Sequence, residues 1–239
     1  MPKPHPHSYP IEGERTDRVE RISMRSVLKD ILSAFDLERG FFFTLLRLYK
    51  RGGKAVIDYL GPNRRRYTPP FRFLLIATAL ALFVVSSSSG VNEFMNGFVD
   101  ALDESDSKER QDIRRTLLEF FNVFLWLAIP IFSGFTRLFF RRPFNYAEHL
   151  VLHAYFLSAW NMLIFLLSPL QWLLPAVWYL GGILFLFVFG LVVFYRTFFP
   201  YQGWRFGLKT LAVLLLGSLV YFLVLSFILG TFIGVQTKM

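Results

Sequence analysis

A chain of 239 residues that is 54% apolar, carries 29 Phe and has a positive mean hydropathy is too greasy for a water-soluble domain, whose apolar share is typically about 45–50%. Its expected solvent is the lipid bilayer. A net charge of +9 would suit nucleic acid or an anionic membrane surface, but the basic residues are interleaved with long apolar runs, which selects the membrane and excludes nucleic acid. With no cysteine the chain can form no disulfide, zinc–thiolate site or iron–sulfur cluster.

Residues 1–20, "MPKPHPHSYPIEGERTDRVE", are rich in Pro and charge and have no apolar period, so a disordered lead is expected there, with His5 and His7 as bystanders. Residues 21–70 read as cytoplasmic or interfacial amphipathic helices. "SMRSVLKDILSAFD" places Val27, Leu28, Ile31, Leu32 and Phe35 on one face. "ERGFFFTLLRLYKR" then stops at Gly52-Gly53, and "KAVIDYL" stops at Gly61-Pro62. Basic helices of this kind lie in the headgroup layer or pack on the cytoplasmic ends of the spans, and the sequence leaves both open.

Residues 71–239 are expected to form a five-span transmembrane domain, because an apolar run of roughly 18 or more residues is long enough to cross the hydrocarbon as a helix. The predicted spans are about 71–91, 117–140, 146–167, 174–195 and 208–233. The fold class is therefore an all-α integral membrane protein with five transmembrane helices preceded by amphipathic ones. The first apolar run begins only near residue 71, so no secretory signal peptide is expected and the first span itself targets the chain. Pro130 is expected to kink the second span.

Orientation follows from where Lys and Arg fall in the connections, since they are retained on the cytoplasmic side. The first 70 residues hold fourteen, and the connections after spans two and four add Arg137, Arg141, Arg142, Arg196, Arg205 and Lys209. "SPLQWLLP" between spans three and four has none. The N-terminus is expected in the cytoplasm and the C-terminus outside, in a bacterial inner membrane.

The run "GFFFTLLRLYKRGGKAVIDYLGPNRRRYTPPFRFLL", residues 40–75, followed by "FNYAEHLV", residues 144–151, resembles a group of bacterial inner-membrane proteins known only as a domain of unknown function. Gly-Phe-x-x-Thr-Leu, Tyr-Leu/Ile-x-Gly-x-Arg-x-x-Tyr-x-x-Pro-Phe-Arg and Asn-x-x-Glu-His-Leu stretches recur there in this order. Many members begin with a four-cysteine zinc ribbon, which this chain cannot form. The family often has Pro-Gly where this chain reads Gly52-Gly53, and Lys-Arg after the glycine where it reads Pro62-Asn63-Arg64. The resemblance implies membrane location and the layout of amphipathic helices before spans. It implies no activity and no cofactor.

"FNYAEHLVLHAYF", residues 144–156, is the stretch that raises chemistry. Asn145 and Glu148 match a capping box, in which each side chain satisfies the other's backbone N–H. His149 and His153 lie one helical turn apart and are the candidate metal ligands. Glu148 points about 100° away from His149 on the wheel, and no further ligand is expected at the same depth. A polar cluster of Asn122, Glu148, His149, His153 and Asn161 is the remaining candidate, as interhelical glue or as a path. "GTFIG", residues 230–234, is formally a helix-contact motif, and "SSSSG", residues 86–90, a polar exit from the first span.

The functional expectation is a non-enzymatic scaffold or accessory protein with no cofactor, whose basic cytoplasmic face touches lipid or a partner. Arg64, Arg65, Arg66 and Tyr67 are the expected contacts for anionic lipid phosphates, and a membrane-protein partner or a second copy is the other expected associate. The alternatives are a small transporter or channel using the polar residues of spans two and three, and a membrane-embedded metal enzyme at Glu148, His149 and His153.

Overall fold

The computed structural model describes residues 40–85, 121–141, 143–201 and 203–236. They fold into helices, with no strand among the described residues. This is what hydrocarbon demands of an open segment, because a helix satisfies its backbone donors and acceptors within itself. In chain order these are α1 (Phe42–Arg51), α2 (Gly53–Leu60), a 3-10 turn (Pro62–Arg66) and α3 (Pro70–Val85). Then follow α4 (Phe121–Phe139), α5 (Tyr146–Leu167), a second 3-10 turn (Ser168–Trp172), α6 (Ala176–Phe198) and α7 (Trp204–Gln236).

Among the described residues, four helical stretches are long and apolar enough to cross a membrane: Pro62–Val84, Tyr146–Trp172, Val177–Phe198 and Trp204–Ile228. The expected span at 117–140 differs from these. Its helix α4 is apolar over Leu125–Phe139 only, which is short for a crossing, and residues 117–120 lie outside the described ones. Pro130 sits inside α4 without interrupting the helix. The helix expected at 23–36 and the stretch "SSSSG" fall outside the described residues, as do the side chains of most of "GTFIG".

α5 is the hub, with contacts to α3, α4, α1 and α2. Leu152, Ala154, Tyr155, Phe156, Leu157 and Ala159 put apolar surface on every side of it. α7 packs mainly on α4. Gly217 makes room there, since a Cβ at that position would lie 2.9 Å from the Phe132 ring.

α1 and α2 pack on the spans through one face and keep an outer face that mixes apolar and cationic side chains. Leu45, Leu48, Ala55, Val56 and Tyr59 are buried, while Phe42, Leu46 and Ile57 are exposed. The pair is hinged at Gly52, whose φ of 53° lies in the left-handed region open to glycine, and its N–H closes α1 on the Leu48 carbonyl at 2.8 Å. Gly53 does more than follow the stop. A Cβ there would stand 2.3 Å from the Phe194 carbonyl oxygen and 2.5 Å from Phe198 Cβ, so two backbones meet at this point. Its N–H, one of the donors a helix start leaves unpaired, is taken by Thr197 Oγ1 at 2.8 Å.

Candidate functional site

The mouth of α5 is built by its own cap. Asn145 Oδ1 accepts from the Glu148 N–H at 3.0 Å, and Glu148 Oε2 accepts from the Asn145 N–H at 2.6 Å. Both arms of the capping box are therefore present, and the Glu148 carboxylate is spent on its own backbone rather than turned toward the histidines.

One residue on, His149 is fully buried. Its Nδ1 lies 2.9 Å from Thr136 Oγ1 on α4. The Thr136 hydroxyl also lies 2.9 Å from the Phe132 carbonyl, and when it donates there its oxygen is left to accept from an Nδ1–H of His149. His149 Nε2 finds no hydrogen-bond partner among the described residues. The ring packs beside Phe199, 5.4 Å between centroids.

His153 is tied on both sides. Nδ1 lies 2.8 Å from the His149 carbonyl, which can only accept, and 3.0 Å from Ser133 Oγ on α4. With the hydrogen on Nδ1, the Nε2 of the neutral ring accepts from the Tyr195 hydroxyl of α6 at 2.8 Å. One imidazole thus joins α4, α5 and α6.

Two turns further, Asn161 Nδ2 donates to Thr78 Oγ1 of α3 at 2.8 Å, and Trp126 Nε1 of α4 reaches the same oxygen at 3.3 Å. Of the polar residues expected to cluster, His149 and His153 both bond α4 and are linked through the His149 carbonyl, while the other described ones make ties elsewhere along α5. His149 and His153 are neighbours with different partners, Asn161 belongs to another junction, and Glu148 belongs to the cap. The Asn122 side chain lies outside the described residues.

Sequence reasoning passed over the partners of these residues and a second set of ties. Tyr155 donates to the Thr68 carbonyl at 2.7 Å and Tyr49 to the Ala159 carbonyl at 2.8 Å, while Thr44 Oγ1 accepts from the Thr68 N–H at 2.9 Å. The available signal was a hydroxyl inside or beside an apolar run, because in lipid such groups turn to other helices.

As for metal, no group of three or more His, Asp or Glu among the described residues is arranged to hold an ion. The His149 and His153 rings do not converge on a shared point with free nitrogens, since both nitrogens of His153 are engaged.

At the junction of α2 and α3 the 3-10 turn leaves Arg64, Arg65 and Arg66 exposed. Arg64 lies over the Tyr59 ring at 5.2 Å and donates to the Tyr59 hydroxyl at 3.2 Å. Tyr67 departs from the interfacial role expected of it. Its ring is 6% exposed, packed on Phe43 at 5.2 Å, with its hydroxyl toward Asp58 at 3.4 Å. Asp58 also pairs with the exposed Arg51, so the buried Tyr67 reaches a partly exposed polar contact through its hydroxyl. The exposed aromatic of the junction is Phe71.

These features define an all-helical protein with helices able to cross a membrane and with its buried polar side chains engaged mostly in ties between helices. A family model described as a protein of unknown function, DUF3667, matches residues 38–82, the stretch comprising α1, α2, the arginine turn and most of α3. The chain is thus similar to that family over this segment, while residues 144–151, on which the resemblance also drew, lie beyond it. No curated protein and no solved structure matches the chain.

Proposed function

We propose that the protein is a multi-pass bacterial inner-membrane scaffold or accessory protein, without catalytic activity, whose arginine turn holds anionic lipid phosphates at the cytoplasmic surface. The observation that carries this reading is the contrast between interior and rim. Polar groups in the interior, His153 and Asn161 above all, are occupied by other helices, whereas Arg64, Arg65 and Arg66 are exposed on a turn braced by Tyr59 and Tyr67. In this reading residues 117–140 are the second of five spans, the N-terminus lies in the cytoplasm and the C-terminus outside, an orientation that the distribution of Lys and Arg supports. A phosphatase fused after Met239 is then active and a fluorescent protein there dark, and the reverse pattern would refute the span count.

Each of the three arginines beside an anionic leaflet contributes about 1 kcal/mol, screened by salt within a Debye length. The full chain in nanodiscs of rising phosphatidylglycerol content should gain salt-sensitive thermal stability, and an Arg64→Ala, Arg65→Ala, Arg66→Ala variant should lose that gain. Stabilisation that ignores lipid charge in both proteins would overturn the lipid contact. A flux across the membrane that His153→Ala or Asn161→Ala abolished at unchanged melting temperature would overturn the scaffold reading.

A further inference from the structure

Two helix lengths locate the inner boundary of the bilayer on this fold. The stretch Tyr146–Trp172 holds 27 residues and ends on Trp172, which is exposed, as befits an aromatic at the membrane–water interface. At 1.5 Å per residue the stretch is about 40 Å long, about 10 Å more than the roughly 30 Å of hydrocarbon, so about seven residues are surplus. Measured from Trp172, the inner boundary falls near His153. α6 gives the same level independently. Its exposed Trp178 and exposed Arg196 stand 18 residues apart, about 27 Å, and Arg196 follows Tyr195, whose hydroxyl donates to His153 Nε2 at 2.8 Å. The start of α3 agrees, because Tyr155 donates to the carbonyl of Thr68, just after the exposed Arg64, Arg65 and Arg66. The first two turns of α5, with His149, then stand on the cytoplasmic side of the hydrocarbon.

α1 lies along this boundary. At its N-terminal end Phe41 packs on Phe73, 4.8 Å between centroids, and Thr44 Oγ1 accepts from the Thr68 N–H. At its C-terminal end a Cβ on Gly52 would meet Val193, Phe194 and Thr197 of α6. Both ends are therefore level with the boundary, and the helix runs in the plane of the membrane. Seen down its axis, at about 100° per residue, α1 has three faces about 120° apart. Phe41, Thr44, Leu45 and Leu48 are buried against the protein; Phe42, Leu46 and Tyr49 are exposed; Lys50 and Arg51 are exposed on the third face, with Arg47 between them in angle. Tyr49 fixes which way the apolar face points. Its hydroxyl donates to the Ala159 carbonyl, six residues or about 9 Å beyond His153 toward the membrane interior. We propose that α1 is an in-plane helix sunk into the cytoplasmic leaflet, with Phe42, Leu46 and Tyr49 among the acyl chains beneath the headgroups and Lys50 and Arg51 on the phosphate side. This rests on the reading of the apolar helices as spans, and it adds to the charge effect of the arginine turn a second contact with the leaflet, made by apolar insertion. The choice between the headgroup layer and the ends of the spans, which the sequence leaves open, is then resolved by a helix that takes both.

The chain has no cysteine, so single cysteines can be spin-labelled without background. Nitroxides on Phe42→Cys, Leu46→Cys, Lys50→Cys, Ala147→Cys and Phe185→Cys, each in the full chain in liposomes of phosphatidylethanolamine and phosphatidylglycerol, report depth by their collisions with oxygen, which concentrates in hydrocarbon, or with a water-soluble nickel chelate. All five positions are exposed, so the labels displace little packing. The labels at positions 42 and 46 should favour oxygen, at depths of about 5–10 Å below the headgroup boundary, and those at 50 and 147 should favour nickel. Labels at 42 and 46 that meet nickel as freely as the one at 50 would overturn the insertion of α1, and an oxygen-dominated label at 147 would overturn the boundary at His153. Phe185, near the middle of α6, is the reference. An aqueous label there would sink the span reading and this inference with it, whereas hydrocarbon at 185 with water at 42 and 46 fails α1 alone. The arginine turn is intact in all five variants, so its salt-sensitive stabilisation in anionic nanodiscs is read separately.

Discussion

α3 and α5 form one kind of membrane helix, and α6 and α7 another. The apolar windows containing α3 and α5 are 50% and 56% buried inside the protein, whereas those of α6 and α7, which are more apolar, are 17% buried each. In water the order would be reversed, because the greasiest segments are driven into the core. Lipid tails remove that drive, and close packing together with hydrogen bonds between helices decides what goes inside. The less apolar helices are accordingly the ones that carry Thr78, His149, His153, Ser158 and Asn161, all buried, while Phe185, Phe189, Leu215, Leu219 and Phe227 face outward from α6 and α7. Among these four helices the less apolar pair is the more deeply buried.

The most damaging small change should fall where α2 meets α6. Gly53→Ala places a methyl against the Phe194 carbonyl and the Phe198 backbone, groups that no rotamer change can move, and is expected to cost about 3 kcal/mol, read as a lowered melting temperature in detergent. A melting temperature equal to that of the unaltered protein would mean that α2 is not seated on α6.

Next in size is the Thr78 junction. Thr78→Val removes the oxygen that takes hydrogens from both Asn161 and Trp126, leaving the buried amide of Asn161 without its partner on α3, at a cost of about 2 kcal/mol. Asn161→Leu in the same background should restore part of the loss, since it removes the stranded donor. No recovery in the double variant would indicate that the hydroxyl contributes through packing alone. Smaller again is the cap: Asn145→Ala opens the box at the exposed mouth of α5 and should cost about 1 kcal/mol, with His149 and His153 undisturbed.

The capping box was legible in the sequence because it is local, depending on two side chains three residues apart and their own backbone. The apolar helices at 146–167, 174–195 and 208–233 were legible because length and hydropathy suffice to mark them. What the sequence hid is relational. Gly53 reads as the second half of a helix stop, and only the position of Phe194 and Phe198, some 140 residues away, makes it a contact point. Tyr67 has the composition of an interfacial anchor, yet Phe43, Tyr59 and Asp58 surround it. His149 and His153 share a helical face, so one cluster was a fair expectation. Their partners, Thr136 and Ser133 on α4 and Tyr195 on α6, are hydroxyls that nothing in the local pattern singled out.

The smallest predicted effect sharpens the contrast best, because it makes the same substitution on the same helix that Gly53 touches. Gly181 and Gly182 lie in the first half of α6, and a Cβ at either would meet nothing within 4 Å. Both are exposed on the outer side of the helix. Alanine there removes backbone freedom from the unfolded chain and adds only a methyl facing lipid, so Gly181→Ala and Gly182→Ala should each leave stability unchanged or raise it by about 0.5 kcal/mol. Gly53→Ala and Gly181→Ala would then differ by about 3 kcal/mol in opposite directions, although both replace a glycine at the contact or on the body of α6. A loss of 1 kcal/mol or more at Gly181 would show that this face of α6 is covered in the membrane, most simply by a second copy packed along its glycines, and α6 would then belong with the buried helices rather than the lipid-facing ones.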